Sequence, residues 1–298
     1  IYMKIIDSFM FFDENMMLDL RLNVLDKYVS RFIICEATYN HNGQKKKLNF
    51  NINNYPKFKD KINYIIIDKE PDNIDKENKS SEKKISKRMN SIKRIEQSYE
   101  YMSKGLGEIN DDDLVMISDN DEIPNLESVD INKINNNFLV FEQLFFYYKF
   151  NLLYDKLLWP GTKACKKKNL KNFSSLKNLK TKKYPFWRID TLFSEVKKIN
   201  FKIIENGGWH FTNIKSPKDL FEKLSNFGHH DEFELSQITI ENLQAKIDNR
   251  EVFYDHFADK SSKSKWDNNF KLKKIDNNLL PIYLNENKEK FKKWFDLN

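Results

Sequence analysis

The first 125 residues switch repeatedly between two apolar periods. Met3–Ile6 reads as a short strand ending at Asp7-Ser8. Met17, Leu18, Leu22 and Leu25 share one face of a helix, and the strand Arg31–Glu36 follows. Asn42-Gly43 marks a turn, and Ile62–Asp68 is a third strand, rich in β-branched Ile. The charged stretch Lys69–Lys84 has no apolar pattern. Ile85, Met89, Ile92, Ile95, Tyr99 and Met102 then fall on one helical face, predicting a long amphipathic helix that ends near Gly105. Leu114–Ser118 is a short buried strand. Strands alternating with helices predict an α/β fold with a mostly parallel central sheet flanked by helices. Ligands of such sheets bind at the carboxyl ends of the strands, where Asp7, Glu36, Asp68 and Asp119 stand on this reading.

The second half is less regular. Phe138–Phe150 is aromatic and predicts one or two strands. Phe201–Glu205 predicts a strand leading into Gly207-Gly208-Trp209-His210-Phe211. Ser216-Pro217 opens a helix carrying Leu220, Phe221, Leu224 and Phe227. Asn285–Leu297 reads as a basic helix with Phe291, Trp294 and Phe295 on one side. Lys166–Lys183 holds eight lysines in eighteen residues. It reads as a solvated mobile loop, a lid over a diphosphate, or a peripheral membrane contact. The expected division is a catalytic domain over 1–235, with a donor-binding half to about 125, and a helical extension over 236–298 packed on it.

Composition changes this picture little. The 24 Phe and 13 Tyr among 298 residues supply a sizeable core. A net charge of +7 permits phosphate-bearing partners without choosing among them. Cys35 lies in an apolar run, and the two cysteines have no zinc or disulfide spacing. No apolar run approaches ~18 residues and no signal pattern is present, so a cytoplasmic location without a transmembrane segment is expected.

The candidate chemistry starts at Asp119-Asn120-Asp121, directly after a buried strand. Two carboxylates so placed can share one Mn²⁺ or Mg²⁺, hard cations that take oxygen ligands. The cation would offset charge on a leaving diphosphate. No glycine-rich phosphate loop is present to do that work. His210, after the Gly207-Gly208 pair, is a candidate third metal ligand, with His229 as its rival. The glycines suggest close approach of backbone to ligand. Asp231 or Glu232, after the Pro217 helix, is a candidate general base. Trp159 and Trp209 are candidates to stack on sugar rings or to fill a core.

These segments taken together resemble glycosyltransferase family 17, which contains β-1,4-N-acetylglucosaminyltransferases. The residues that carry the resemblance are Asp7-Ser8-Phe9; Phe32 to Thr38; Asn42-Gly43; Ile117 to Pro124; Gly207 to Phe211; and Lys223 to His229. They span about residues 3–235. The resemblance implies a GT-A-like nucleotide-sugar-binding fold, a UDP-sugar donor (GlcNAc in the family), a glycan acceptor and an inverting transfer. It implies donor contacts at Asp7 and Ser8, and at Glu36, whose other reading is a capping or salt-bridging carboxylate. It also implies an Arg-Asn pair near the donor phosphates. Arg88 and Asn90 match best, with Arg94 the competitor.

Two other readings share parts of this pattern. Haloacid-dehalogenase-type phosphatases and phosphotransferases also carry Asp-x-Asp after a strand, but near the chain start and followed by Thr or Val where Ile123 stands. A basic glycan- or nucleic-acid-binding module would use the lysine run, although the ordered α/β half argues against nucleic acid as the partner.

Overall fold

The computed structural model describes residues 3–75, 83–185, 187–226, 233, 236–257, 266 and 269–297. Four strands form the parallel half of the sheet in the order β3-β2-β1-β4: β1 (Ile5–Met10), β2 (Arg31–Ala37), β3 (Ile62–Ile67) and β4 (Leu114–Asp119). Side chains alternate across it with period two. Ile5, Phe9, Phe32, Ile34, Leu114 and Met116 face α1 (Asn15–Leu25) and the C-terminal helices. Ile6, Ile33, Cys35, Val115 and Ile117 face Met102 and Leu106, at the end of α2 (Lys83–Gly105), and the buried Phe173 and Leu176.

Beyond β4 the sheet changes direction, a correction to the mostly parallel expectation. After β5 (Glu122–Pro124) come β6 (Phe138–Tyr147), β7 (Leu152–Leu153) and β8 (Trp159–Lys166). β8 runs antiparallel between β4 and β6. α3 (Phe173–Lys177) and α4 (Asp190–Phe193) precede β9 (Phe201–Ile204) and β10 (Gly208–Thr212), which pair in parallel with successive stretches of β6. β10 also pairs antiparallel with β5 and thus lies beside the Asp119–Glu122 turn. Gly208, at φ +133°, makes that position possible. A Cβ there would come within 2.9 Å of Pro124 Cα and 2.7 Å of Asn125 N. The glycine serves backbone-to-backbone packing, not the approach to a ligand that the sequence suggested.

α5 (Pro217–Asn226) contributes Leu220 and Leu224 to a third cluster. Phe145, Tyr147, Leu243, Val252 and Phe253 join them, so residues beyond 235 share one core with residues before it. Phe291 and Phe295 pack on Phe150, and the Asp296 carboxylate binds the Arg250 guanidinium at 2.8 and 2.9 Å. The basic helix expected over 285–297 is broken into Ile282–Glu286, Lys288–Phe291 and a 3₁₀ turn at Lys292–Trp294.

Candidate active site

A charged residue inside an apolar helix face sets the site. Arg21 is fully buried on α1 among Leu18, Leu20, Leu22 and Leu25. Its guanidinium donates to both carboxylate oxygens of Asp7, at 2.7 and 2.8 Å. It also donates to the carbonyls of Asp119 (3.1 Å), Asn120 (3.3 Å) and Glu122 (2.8 Å), and to Ser118 Oγ. One cation thus collects the inward-facing carbonyls of the turn that carries the candidate carboxylates. Buried carbonyls need such donors.

Beyond that turn the charges divide into two groups. Asp119 points at Lys177 from the end of α3, 3.0 Å away, and Lys177 also binds Glu122 at 2.8 Å. Glu122 is buried and accepts from Trp159 Nε1 (2.7 Å) and from Asp119 N (2.8 Å). Asp121 turns the other way. Its carboxylate lies 3.6 Å from His210 Nε2 and 3.9 Å from Lys223 Nζ, and Lys223 is also 3.8 Å from Glu14. Phe145 stacks on the His210 ring, centroids 4.7 Å apart, and Trp159 lies at 4.8 Å.

These neighbours shift the carboxyl groups in different directions. Burial alone would raise Asp121, but His210, then Lys223 and Lys177, outweigh it and hold the carboxyl well below the usual carboxylate range. Glu122 is likewise lowered: burial opposes, Lys177 and His210 win. Asp119 is raised by desolvation in the crowded turn and by repulsion from Glu122 and Asp121, with Lys177 opposing. Burial pulls Lys177 down, yet Asp119 and Glu122 keep its ammonium above the usual range.

The sequence-predicted residues separate accordingly. Asp119, Asp121 and His210 lie together in a cleft at the carboxyl ends of β1 and β4. They do not form one cluster: among the described residues no group of three or more His, Cys, Asp or Glu side chains is spaced to hold a metal ion. Lys177 draws Asp119 toward Glu122 while Asp121 keeps His210. Trp209 is a correction. Neighbours on a strand point to opposite faces, so with His210 in the cleft, Trp209 packs in the core under the C-terminal helices and donates to Leu279 O at 2.6 Å. Asp7 and Ser8 are corrections too. β1 continues to Met10, both side chains are fully buried, and Asp7 is consumed by Arg21. Glu36 is buried as an anchor for residues 46–50, accepting from Lys46, Asn49 N (2.7 Å), Phe50 N (3.0 Å) and Tyr64 OH (2.8 Å).

On α2 it is Arg94, not Arg88, that lines a smaller pocket beside the cleft, together with Tyr39; Met10, Phe12 and His41 line both. Arg94 binds Glu70 (2.6 Å) and His41 O (2.9 Å). Arg88 is half-buried elsewhere on the helix, and Asn90 is spent on the backbone of Asp75. Asp231, Glu232 and His229 lie outside the described residues.

Several contributors were not read from the sequence. Lys177 hid inside the lysine run, which is not the expected solvated mobile loop up to that point. The run contains α3, Lys166 and Lys168 bind Asp112, and buried Lys163 donates to the carbonyls of Lys177 and Leu179. Arg21 had a readable signal, a lone charge on an apolar face. Glu14, Lys223 and Tyr254 line the same cleft, Tyr254 from the supposed extension.

A family model for glycosyltransferase family 17 matches residues 2–296, including the C-terminal sixty residues for which the sequence suggested no resemblance. No curated protein matches the chain. The crystal structure of HddC from Yersinia pseudotuberculosis complexed with GMP-PN is 10% identical, over 74% of this chain and 97% of that one, with a TM-score of 0.34. A second HddC structure from the same organism is 10% identical over 68% and 90%, with a TM-score of 0.31. Among the described residues no helix is long and apolar enough to cross a membrane. The family match runs through the strand-end turn, the Gly-Gly-Trp-His strand and the C-terminal packing alike, and this chain belongs to glycosyltransferase family 17.

Proposed function

We propose that the chain is an inverting, metal-dependent transferase with a GT-A-like fold that moves a sugar, GlcNAc by family inference, from a UDP-sugar to a glycan acceptor. The observation that carries this reading is Asp121: a carboxylate just past a parallel strand end, flanked by His210 and Lys223, on the wall of an open cleft. The donor set fits Mn²⁺ or Mg²⁺ in part. Asp121 and His210 face each other, and the buried Nδ1 of His210 has no hydrogen-bond partner among the described residues. Asp119, tied to Lys177, is the third candidate. Bound there, the cation would supply Lewis-acid neutralisation of the diphosphate.

The chain's own residues do the rest. Arg94, with Met10, Phe12 and His41, lines the adjoining pocket, which receives the nucleotide. Lys223 and Lys177 place positive charge beside the departing diphosphate. An acceptor hydroxyl forms its bond to the anomeric carbon as the bond to the diphosphate oxygen breaks. UDP leaves with that electron pair, and the hydroxyl proton passes to a carboxylate. Asp231 and Glu232 are candidates outside the described residues. Among the described ones, Glu14 lines both this cleft and its continuation toward Asp13, Lys215 and Trp294.

Calorimetric titration with UDP tests the reading. UDP should bind with Mn²⁺ present and at least about tenfold more weakly after chelation. Absence of UDP and UDP-sugar binding with either metal would falsify it; equal binding without metal would remove only the cation. Lys177→Met should lower transfer about tenfold at neutral pH, the loss of about 1.4 kcal/mol of charge stabilisation. It should also move the acid limb of kcat/KM upward. Lys177 opposes protonation of both Asp119 and Glu122, so without it both take up protons at higher pH. An unmoved limb would remove Lys177 from the site.

A further inference from the structure

Between α3 and β9 the chain leaves the body of the protein through a narrow neck. Lys180 and Lys197 form a parallel bridge, and Lys180 N donates to Val196 O at 2.8 Å, so residues 181–196 are an excursion pinned at its base. Three of its large apolar side chains face solvent. Trp187 is 67% exposed, Ile189 69% and Phe193 85%. Single exposed apolar residues are ordinary, but three large ones within seven positions mark a contact surface.

The charge around them names the partner. Residues 178–199 carry six cations, Lys180, Lys182, Lys183, Arg188, Lys197 and Lys198, against two acids, Asp190 and Glu195. Both acids are neutralised locally: Arg188 and Lys197 bind Asp190, and Lys171 binds Glu195. The excursion therefore presents Trp, Ile and Phe within a rim of surplus positive charge. Aromatic side chains favour the headgroup level of a bilayer, apolar ones reach the acyl boundary, and ammonium groups pair with lipid phosphates. We propose that Trp187, Ile189 and Phe193, with the lysines around them, dock this protein onto a membrane surface rich in anionic lipid. The neck begins just after Lys177, so docking would hold the cleft close to that surface. The proposal does not rest on the transferase reading, because binding is measured without donor or acceptor.

Vesicle flotation of the whole chain tests it. The protein should float with vesicles containing phosphatidylglycerol, not with phosphatidylcholine alone, and salt should weaken the association. The triple variant Trp187→Ser, Ile189→Ser, Phe193→Ser should bind at least about tenfold more weakly with an unchanged far-ultraviolet circular dichroism spectrum and urea midpoint. Lys182→Glu with Lys183→Glu should also bind more weakly. A wild-type chain that stays out of anionic vesicles, or a triple variant that floats as well as wild type, overturns the proposal. So does a wild-type dimer that the triple variant converts to monomer while neither binds vesicles, since the surface would then join two copies of this chain.

Discussion

Asp121→Asn should lose at least about 1000-fold in kcat/KM for sugar transfer, because it removes a cleft carboxylate that His210 and Lys223 hold, against the effect of burial, well below the usual carboxylate range. Asn keeps the shape and the backbone bond from Phe211 N to the residue-121 carbonyl at 2.9 Å. It leaves His210 and Lys223 facing each other without their shared anion. A carboxyl depressed in the native state contributes stability above its unfolded pKa, and that contribution disappears as pH falls through the folded value. The variant should therefore unfold at lower urea than wild type at neutral pH, with the gap closing toward acid, while its native near-ultraviolet spectrum persists. Asp119→Asn should lose less, since Lys177 already neutralises that carboxylate. Retention of more than a tenth of wild-type activity in folded Asp121→Asn would remove Asp121 from the centre of the site.

Legibility in the sequence followed the range of the interactions. α2, β2 and β4 were readable because their apolar periods are local, and the acidic turn after β4 because it interrupts such a period. Asp7 misled because a carboxylate ordinarily ends a buried strand. Its neutralising partner lies fourteen residues on, on a different element, and lets β1 run to Met10. Trp209 and His210 cannot both face one cleft once residues 208–212 are a strand, a consequence of period two that followed only from recognising the strand. Lys177 was invisible for the opposite reason. Its neighbours in the run are also lysines, and only the packing of α3 against β4 and β8 selects which one meets Asp119. The C-terminal residues escaped because their contribution, Tyr254 on the cleft wall and Phe291 and Phe295 against Phe150, is entirely long-range.

Arg21→Met should destabilise the fold by about 3–5 kcal/mol, the usual result of stripping the partner from a fully buried charge. Arg21 has a second task that separates it from an ordinary ion pair, since the same guanidinium binds three carbonyls of the Asp119–Glu122 turn. The two tasks part in a double variant. Asp7→Leu with Arg21→Met replaces the pair by apolar side chains and should recover the part of the stability lost to the unpaired Asp7 charge, while the three turn carbonyls still lack their donor. It should not recover transfer, because the turn carbonyls remain without their donor and Asp121 is no longer held toward His210. Urea unfolding and kcat/KM measured on the same three proteins decide between the roles. A double variant that is both stable and fully active would reduce Arg21 to a counterion for Asp7. A double variant that is stable but at least about tenfold less active would make it the residue through which the helix after β1 positions the chemistry at the end of β4.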